Sequence, residues 1–176
     1  MPHSLRTERL LIRPIMLRDA RAYWLTHNDP EFTRMTGTWS YPFTEQDVMD
    51  RIRDVLASKA AGKQWFAFIG NEQLVGTGVL FDWQPGSVEI GYDIGAGFTG
   101  RGLATEAAHA LCRFVFSAYA LKTVRARVSL DNPASSHILR RLGFEQTGEA
   151  EMGWSAHYGM MTPLYHYRLI RERFRP

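Results

Sequence analysis

The chain reads as an α+β domain built on a mainly antiparallel sheet. Three observations predict this: a hairpin signal at Gly70-Asn71-Glu72-Gln73, strict apolar alternation from Val88 to Ile94, and a glycine-rich turn joining that strand to an amphipathic helix from Leu103. With 176 residues, 45% hydrophobic and 22% charged, residues 1–176 are expected to form one domain, since single domains run to about 100–200 residues.

Leu10 to Pro14 predicts a short strand closed by proline, which lacks the N–H a ladder needs. Asp19 to Leu25 follows as a first helix, ended by Asn28-Asp29-Pro30. Thr44 with Asp47 three residues on is a capping-box-like start. Val48, Ile52, Val55 and Leu56 then recur at helical spacing, until Ala61-Gly62 stops this second helix. Trp65 to Ile69 and Leu74 to Phe81 form the two arms of the hairpin. Val88, Ile90, Tyr92 and Ile94 alternate with Glu89, Gly91 and Asp93, so the two faces of this strand differ in chemistry. Leu103, Ala107, Ala110, Leu111, Phe114 and Val115 form one apolar stripe of the next helix. Val124 to Leu130 returns to a strand. Pro133 to Leu142 is a short helix, with Asn132 as cap, Pro133 in its first turn and Gly143 at its end. Phe144 onward is extended, and Leu164 to Ile170 is a last strand. The predicted order is β-α-α-β-β-β-α-β-α-β-β.

Composition excludes several function classes. A net charge of +3 from 21 basic and 18 acidic residues, without a basic run interleaved with aromatics, does not fit a nucleic-acid partner. Arg168, Arg171, Arg173 and Arg175 crowd the C-terminus, which suits either a solvated tail or an anionic ligand. Cys112 stands alone, so neither an intrachain disulfide nor a cysteine metal cluster is expected, and a reducing compartment fits. Met1 to Leu11 carries His3, Arg6, Glu8 and Arg9 where a secretory leader needs an apolar run, and no apolar stretch reaches membrane-spanning length. The expectation is a cytoplasmic protein with no membrane, metal or nucleic-acid site.

The turn Phe98-Thr99-Gly100-Arg101-Gly102-Leu103-Ala104-Thr105-Glu106 carries the chemistry. Gly100 and Gly102 remove the side chains that would hold an anion off the main chain. Leu103 opens a helix whose first N–H groups lack intrahelical partners, and its dipole favours a phosphate there. Gly95, Gly97 and Gly100 also spell G-x-G-x-x-G, but the dinucleotide reading fails twice. The preceding strand is interrupted by Glu89 and Asp93 where a doubly buried strand would be continuously apolar, and the acidic partner due about 20 residues later is missing. A P-loop fails as well, because no Gly-Lys-Ser/Thr follows the turn.

The register that fits is Gly100-x-Gly102-x-Ala104, then Asn132-x-x-Ser135, then Leu142-Gly143-Phe144. With the helix start Ala104-Thr105-Glu106-Ala107, these motifs resemble the GNAT N-acetyltransferases. Thr7-Glu8-Arg9-Leu10-Leu11-Ile12-Arg13 and Glu89-Ile90-Gly91-Tyr92 are similar to the RimJ/RimL branch, which acetylates ribosomal-protein N-termini among other amines. The resemblance implies an acyl-CoA fold with about four helices, in which the fourth and fifth strands splay apart. Acetyl-CoA is then the co-substrate, no metal takes part, and the acceptor is an amine on a small molecule or a protein N-terminus. A homodimer is common among such proteins. By the same resemblance, Tyr92, Asp93 and Ile94 match the pantetheine-binding strand end, and Gly100, Arg101, Gly102, Leu103, Ala104 and Thr105 match the pyrophosphate loop. Asn132 matches the residue that contacts the pantetheine arm near its amide, and Thr99 stands where many members carry glutamine or arginine.

Acetyl transfer to an amine needs a neutral nucleophile, a stabilised oxyanion and a proton for the departing thiolate. A main-chain N–H near Tyr92 or Ile94, freed by the splay, can meet the oxyanion. Glu89 lies close to where some members place a glutamate base, and it also reads as a solvent-facing strand carboxylate. Ser135 matches the serine proposed in this branch to protonate the thiolate, and it also reads as a first-turn serine with local hydrogen bonds. The tyrosine that many members carry later on this helix is absent from Ile138-Leu139-Arg140-Arg141, and Trp154 aligns where the ribosomal-protein enzymes can carry a catalytic glutamate. Trp39, Tyr41, Phe43, Trp154 and Tyr158 either line an amine pocket through cation–π contacts or pack as ordinary core and lid. Glu106, His109, His137 and Cys112 read as structural, and Arg101 as a partner for a CoA phosphate. The function expected is an acetyl-CoA-dependent N-acetyltransferase working by direct attack in a ternary complex, the alternative being a CoA-binding module without catalysis.

Overall fold

The hairpin signalled by the sequence is present as β3 (Gln64–Gly70) and β4 (Gln73–Gln84), turning on Asn71 and Glu72, both with positive φ, as a tight two-residue hairpin turn requires. The computed structural model describes residues 4–57 and 62–175, so Ala61 of the expected helix stop lies outside the described residues, as do Met1 to His3. Before the hairpin come β1 (Leu5–Arg6), β2 (Leu11–Pro14), α1 (Ala20–His27), α2 (Pro30–Thr36) and α3 (Glu45–Ala57). After it come β5 (Ser87–Ile94), α4 (Leu103–Ala118), β6 (Thr123–Ser129), α5 (Pro133–Arg141), β7 (Glu145–Gln146), β8 (Glu151–Ser155) and β9 (Met160–Ile170).

The described strands form one sheet in the order β1-β2-β3-β4-β5-β6-β9-β7, with β8 also on β9. All pairings are antiparallel except β5 with β6, which fulfils the predicted mainly antiparallel sheet. One core lies between the sheet and α4, with Leu111, Val115 and Leu139 against Phe66, Val88 and Val124. A second core on the opposite face joins Tyr23, Trp39 and Ile52 to Trp65 and Ala67.

Several sequence expectations need correction. There are five α-helices among the described residues rather than about four, because α2 starts on Asp29-Pro30: the Asp29 carboxylate caps Phe32 N–H and Pro30 occupies the first turn, so the segment that ends α1 also begins α2. The first helix starts at Ala20, one residue later than expected. The strand from Leu11 pairs with a short β1, and the last strand begins at Met160 because β8 folds back on it. Leu56 is exposed, so the α3 core stripe is Val48, Ile52 and Val55. The capping box there is as expected: Asp47 N–H donates to Thr44 Oγ1 at 3.1 Å while Thr44 N–H donates to the Asp47 carboxylate at 2.7 Å.

Candidate active site

The parallel pair β5/β6 holds for only three residues, Ser87 to Glu89 against Thr123 to Arg125, and then the strands part. Gly95 N–H donates to Val75 O, so by strand alternation the odd positions of β5 face β4. The N–H groups of Ile90, Tyr92 and Ile94 therefore face the gap that β6 has left. A cavity of about 420 Å³ opens there, reaching from Tyr92, Asn132 and Ser135 through Glu89 to Trp39, Arg51 and Trp154.

At the far end of β5 the chain turns through Gly100 and Gly102, with φ of 74° and 76°. Gly102 is the N-cap of α4 and supplies no side chain to it, so the first N–H groups of the helix remain open to an anion. Nothing lies within 4 Å of where a Cβ on Gly100 would stand. The turn is held from behind by the N-terminal segment. Glu106 accepts from Thr7 Oγ1 and from Arg9 N–H at 2.8 Å, and pairs with Arg9 Nε at 2.6 Å, while Arg9 Nη1 reaches Arg101 O at 2.7 Å. Burial pushes the Glu106 carboxyl up, but these hydrogen bonds outweigh it and its pKa lies below the ordinary value. The Arg101 guanidinium turns back to donate to Gly97 O at 3.0 Å. Gly95 packs on Thr26 and Gly97 faces open space, so neither belongs to the open helix terminus.

The two catalytic candidates lie on one cavity wall system. Glu89 is 3% exposed, so the solvent-facing alternative is corrected: the strand's polar face turns into the cavity, where Arg127 Nε pairs with the carboxylate at 2.7 Å and Arg125 stands at 3.6 Å. Ser135 sits in the first turn of α5, its N–H donating to Asn132 Oδ1 at 3.0 Å, so the Asn132 side chain serves as helix cap. Ser135 Oγ lies 3.0 Å from Tyr92 Oη. Sequence reasoning missed this pairing, because Tyr92 and Ser135 are 43 residues apart and only the splay brings strand and helix together. Burial pushes the Tyr92 phenol well up, against the lowering effect of its bond to Ser135, so it stays protonated near neutral pH. The phenol that α5 lacks thus arrives from β5. Asp93 is engaged below: it accepts from Thr77 N–H and Oγ1, each at 2.8 Å, with His27 Nε2 3.0 Å away.

The matching family model is described as an acetyltransferase (GNAT) domain and covers residues 9–145. The chain belongs to the GNAT acetyltransferase family. It is 28% identical over 177 aligned positions to the uncharacterized N-acetyltransferase p20 of Bacillus licheniformis, covering 97% of this chain and 98% of that one. Among solved structures it is similar to RimL, the ribosomal L7/L12 alpha-N-protein acetyltransferase in complex with coenzyme A, at TM-score 0.81 and 15% identity over 96% of this chain and 98% of that chain. It is also similar to spermidine N-acetyltransferase from Vibrio cholerae in complex with CoA and spermine, at TM-score 0.79 and 16% identity over 95% and 98% of the two chains. These likenesses confirm the expected GNAT fold. The protein is thus an acetyl-CoA-dependent acetyltransferase that acts on an amine.

Within this GNAT domain the predicted aromatic pocket divides. Trp39 and Phe43 are buried and stacked on each other at 4.5 Å, while Tyr41, Trp154 and Tyr158 are exposed. Of the five, Trp39 and Trp154 line the cavity, and one face of Trp39 is already covered by Arg51, whose guanidinium carbon lies 3.5 Å from the ring centroid. His109 donates to or accepts nothing in the cavity; its Nε2 lies 2.8 Å from Arg175 O. Cys112 is fully buried in α4, and burial pushes its thiol well up. No helix among the described residues is long and apolar enough to cross a membrane, and no group of three metal-ligating side chains occurs among them.

Proposed function

We propose that this GNAT domain acetylates a primary amine by direct attack within a ternary complex, with the coenzyme along β5 and the acceptor entering from the Trp39 and Trp154 side. The observation that carries the reading is the single cavity through the splay, which meets Tyr92, Asn132 and Ser135 at one end and Glu89 and Trp39 at the other. The residues fit the coenzyme: the uncapped α4 terminus with Gly100 through Thr105 takes the diphosphate, and the unpaired edge of Tyr92 to Ile94 takes the amide-bearing arm. Acetyl-CoA supplies an acetyl group activated as a thioester.

The chain's residues then divide three tasks. Glu89 takes a proton from the incoming ammonium, directly or through water, and Arg127 positions its carboxylate by the 2.7 Å contact. The N–H groups of Tyr92 and Ile94 face the place where negative charge grows on the carbonyl oxygen. Ser135 donates to the departing sulfur and regains its proton, through water, from the nitrogen of the tetrahedral intermediate, while the Tyr92 phenol, 3.0 Å from Ser135 Oγ, keeps its own proton and steadies that oxygen by a hydrogen bond. Cys112 is sealed in the core, so no thiol of the protein stands ready to carry the acetyl group, which supports direct attack. The similarity to RimL and to the spermidine enzyme leaves both a protein N-terminus and a small amine as acceptor classes.

Saturating acetyl-CoA is expected to raise Tm by about 5–10 °C: at about 100 times Kd the linkage stabilisation is about 2.7 kcal/mol, and a chain of this size moves about 2–4 °C per kcal/mol. Absence of any shift with millimolar CoA or acetyl-CoA overturns the reading. A shift without thiol release across a broad amine panel identifies a CoA-binding module instead. Glu89→Gln is expected to lower kcat and change the shape of the pH–rate profile, because the base that accepts the amine's proton is gone. An unchanged profile removes Glu89 as the base.

A further inference from the structure

The charges that line the acceptor end of the cavity do not balance. Glu89 is neutralised by Arg127 at 2.7 Å, Asp93 is occupied by Thr77 and His27, and Arg34 is paired with Glu31 at 2.6 Å and with Asp131 at 3.5 Å. Arg51 and Lys63 line the same cavity, and among the described residues neither forms an ion pair. Both also line the adjoining cavity of about 480 Å³ with Asp54, which pairs with neither, so they stand where the two spaces meet.

Arg51 is built into its place. Its guanidinium carbon sits over Trp39, 3.5 Å from the ring centroid, and one Nη donates to Thr38 O at 3.0 Å. A guanidinium carries five N–H donors, so this bond and the stacked face leave an edge of donors free. Lys63 stands exposed at the rim, on the entry to β3. Burial lowers the Arg51 pKa against the raising effect of Asp47 one turn earlier on α3, so this cation is held at a cost that a closer counter-ion would relieve.

We propose that the amine acceptor carries an anionic group, a carboxylate or a phosphate, which Arg51 and Lys63 receive while the amine lies toward Glu89. The inference rests on this end of the cavity being the acceptor site of the acetyltransferase. The coenzyme's own phosphates are not the anion in question, because none of the glycine-turn residues, 98 to 105, lines this cavity. A polyamine fits poorly, since its second cation would be set against Arg51 and Lys63. An amino acid or a phosphorylated amine has the required pair of charges. A guanidinium edge accepts either carboxylate or phosphate in the same two-bond geometry, so the two remain one chemistry until tested.

The experiment measures thiol release from acetyl-CoA with matched amines: α-amino acids and their amides, O-phosphoethanolamine and ethanolamine, and spermidine. The anionic member of one pair is expected to exceed its neutral partner by about 10–100-fold in kcat/KM, mainly through KM, and which pair responds separates carboxylate from phosphate. Arg51→Gln and Lys63→Gln should each cut that ratio about tenfold. The rise in Tm with acetyl-CoA should persist in both variants, showing that they fold and bind the coenzyme. Calorimetric titration of the CoA-loaded protein with the same compounds reads the anion site without turnover. Equal or weaker binding of every anionic member than of its neutral partner overturns the proposal, as does a ratio unchanged in both variants or a preference for spermidine. Loss of the coenzyme-induced rise in the unsubstituted protein is a different failure, that of the acetyltransferase reading itself.

Discussion

Gly102→Val is expected to abolish the rise in Tm that acetyl-CoA produces, with thiol release falling below detection. Two physical effects combine. Gly102 has φ of 76°, a left-handed conformation in which a β-branched residue is strained by about 1–2 kcal/mol. Its new side chain would also begin 3.4 Å from the Arg9 guanidinium, at the uncapped N-terminus of α4 where the diphosphate is proposed to lie. The strain alone lowers Tm without ligand by a few degrees. The loss of ligand response is a separate observable, measured as the difference between scans with and without acetyl-CoA. Gly97→Ala is the matching control, because the position faces open space and has no positive φ. It should keep the full rise. A dinucleotide-type register over Gly95, Gly97 and Gly100 would reverse these two outcomes, so the pair of variants tests the register of the turn as well as the ligand.

Ser135→Ala is expected to lower kcat by about 10²–10⁴, the range of a general acid, while KM for acetyl-CoA and the rise in Tm change little. The helix start survives the substitution, because it is Ser135 N–H, not the hydroxyl, that Asn132 Oδ1 caps. Tyr92→Phe removes the other half of the 3.0 Å contact and should give a smaller loss of kcat, with the double variant no worse than Ser135→Ala alone. Full turnover in Ser135→Ala would remove it as the acid and leave Tyr92 to act alone.

Much of the architecture was legible because its signals are local. The Thr44/Asp47 box, the Asn71-Glu72 turn and the Asn132-Pro133 start each depend on residues within one turn of chain, and each is present in the structure. The misses have local causes too. Asp29-Pro30 both stops one helix and starts another, and a two-residue strand such as β1 carries too little alternation to be seen. The glycine turn before α4 was legible because the positive φ at Gly100 and Gly102 demands glycine, and the sequence records that demand.

The cavity's side chains were not legible in the same way. Period-two alternation shows that Glu89 and Asp93 share a face, but not whether that face meets water. The approach of Arg127 and Arg125 from β6, at a point where the sheet opens into the cavity, decides that Glu89 is a buried, paired carboxylate. The Tyr92 and Ser135 pair and the unbalanced Arg51 and Lys63 likewise join distant parts of the chain.

By itself, then, the sequence determined the central run of elements from the hairpin to the last helix, the mainly antiparallel sheet, the glycine turn before α4 and the family resemblance. Each of these is written in turns, caps and periodicities that act over a few residues. Only the tertiary structure decided where β5 and β6 part, which hydroxyls meet in the gap and which cations face it without an ion pair among the described residues. Those features depend on contacts between segments tens of residues apart, and a three-residue parallel pairing that then opens leaves no periodicity in the chain to record it.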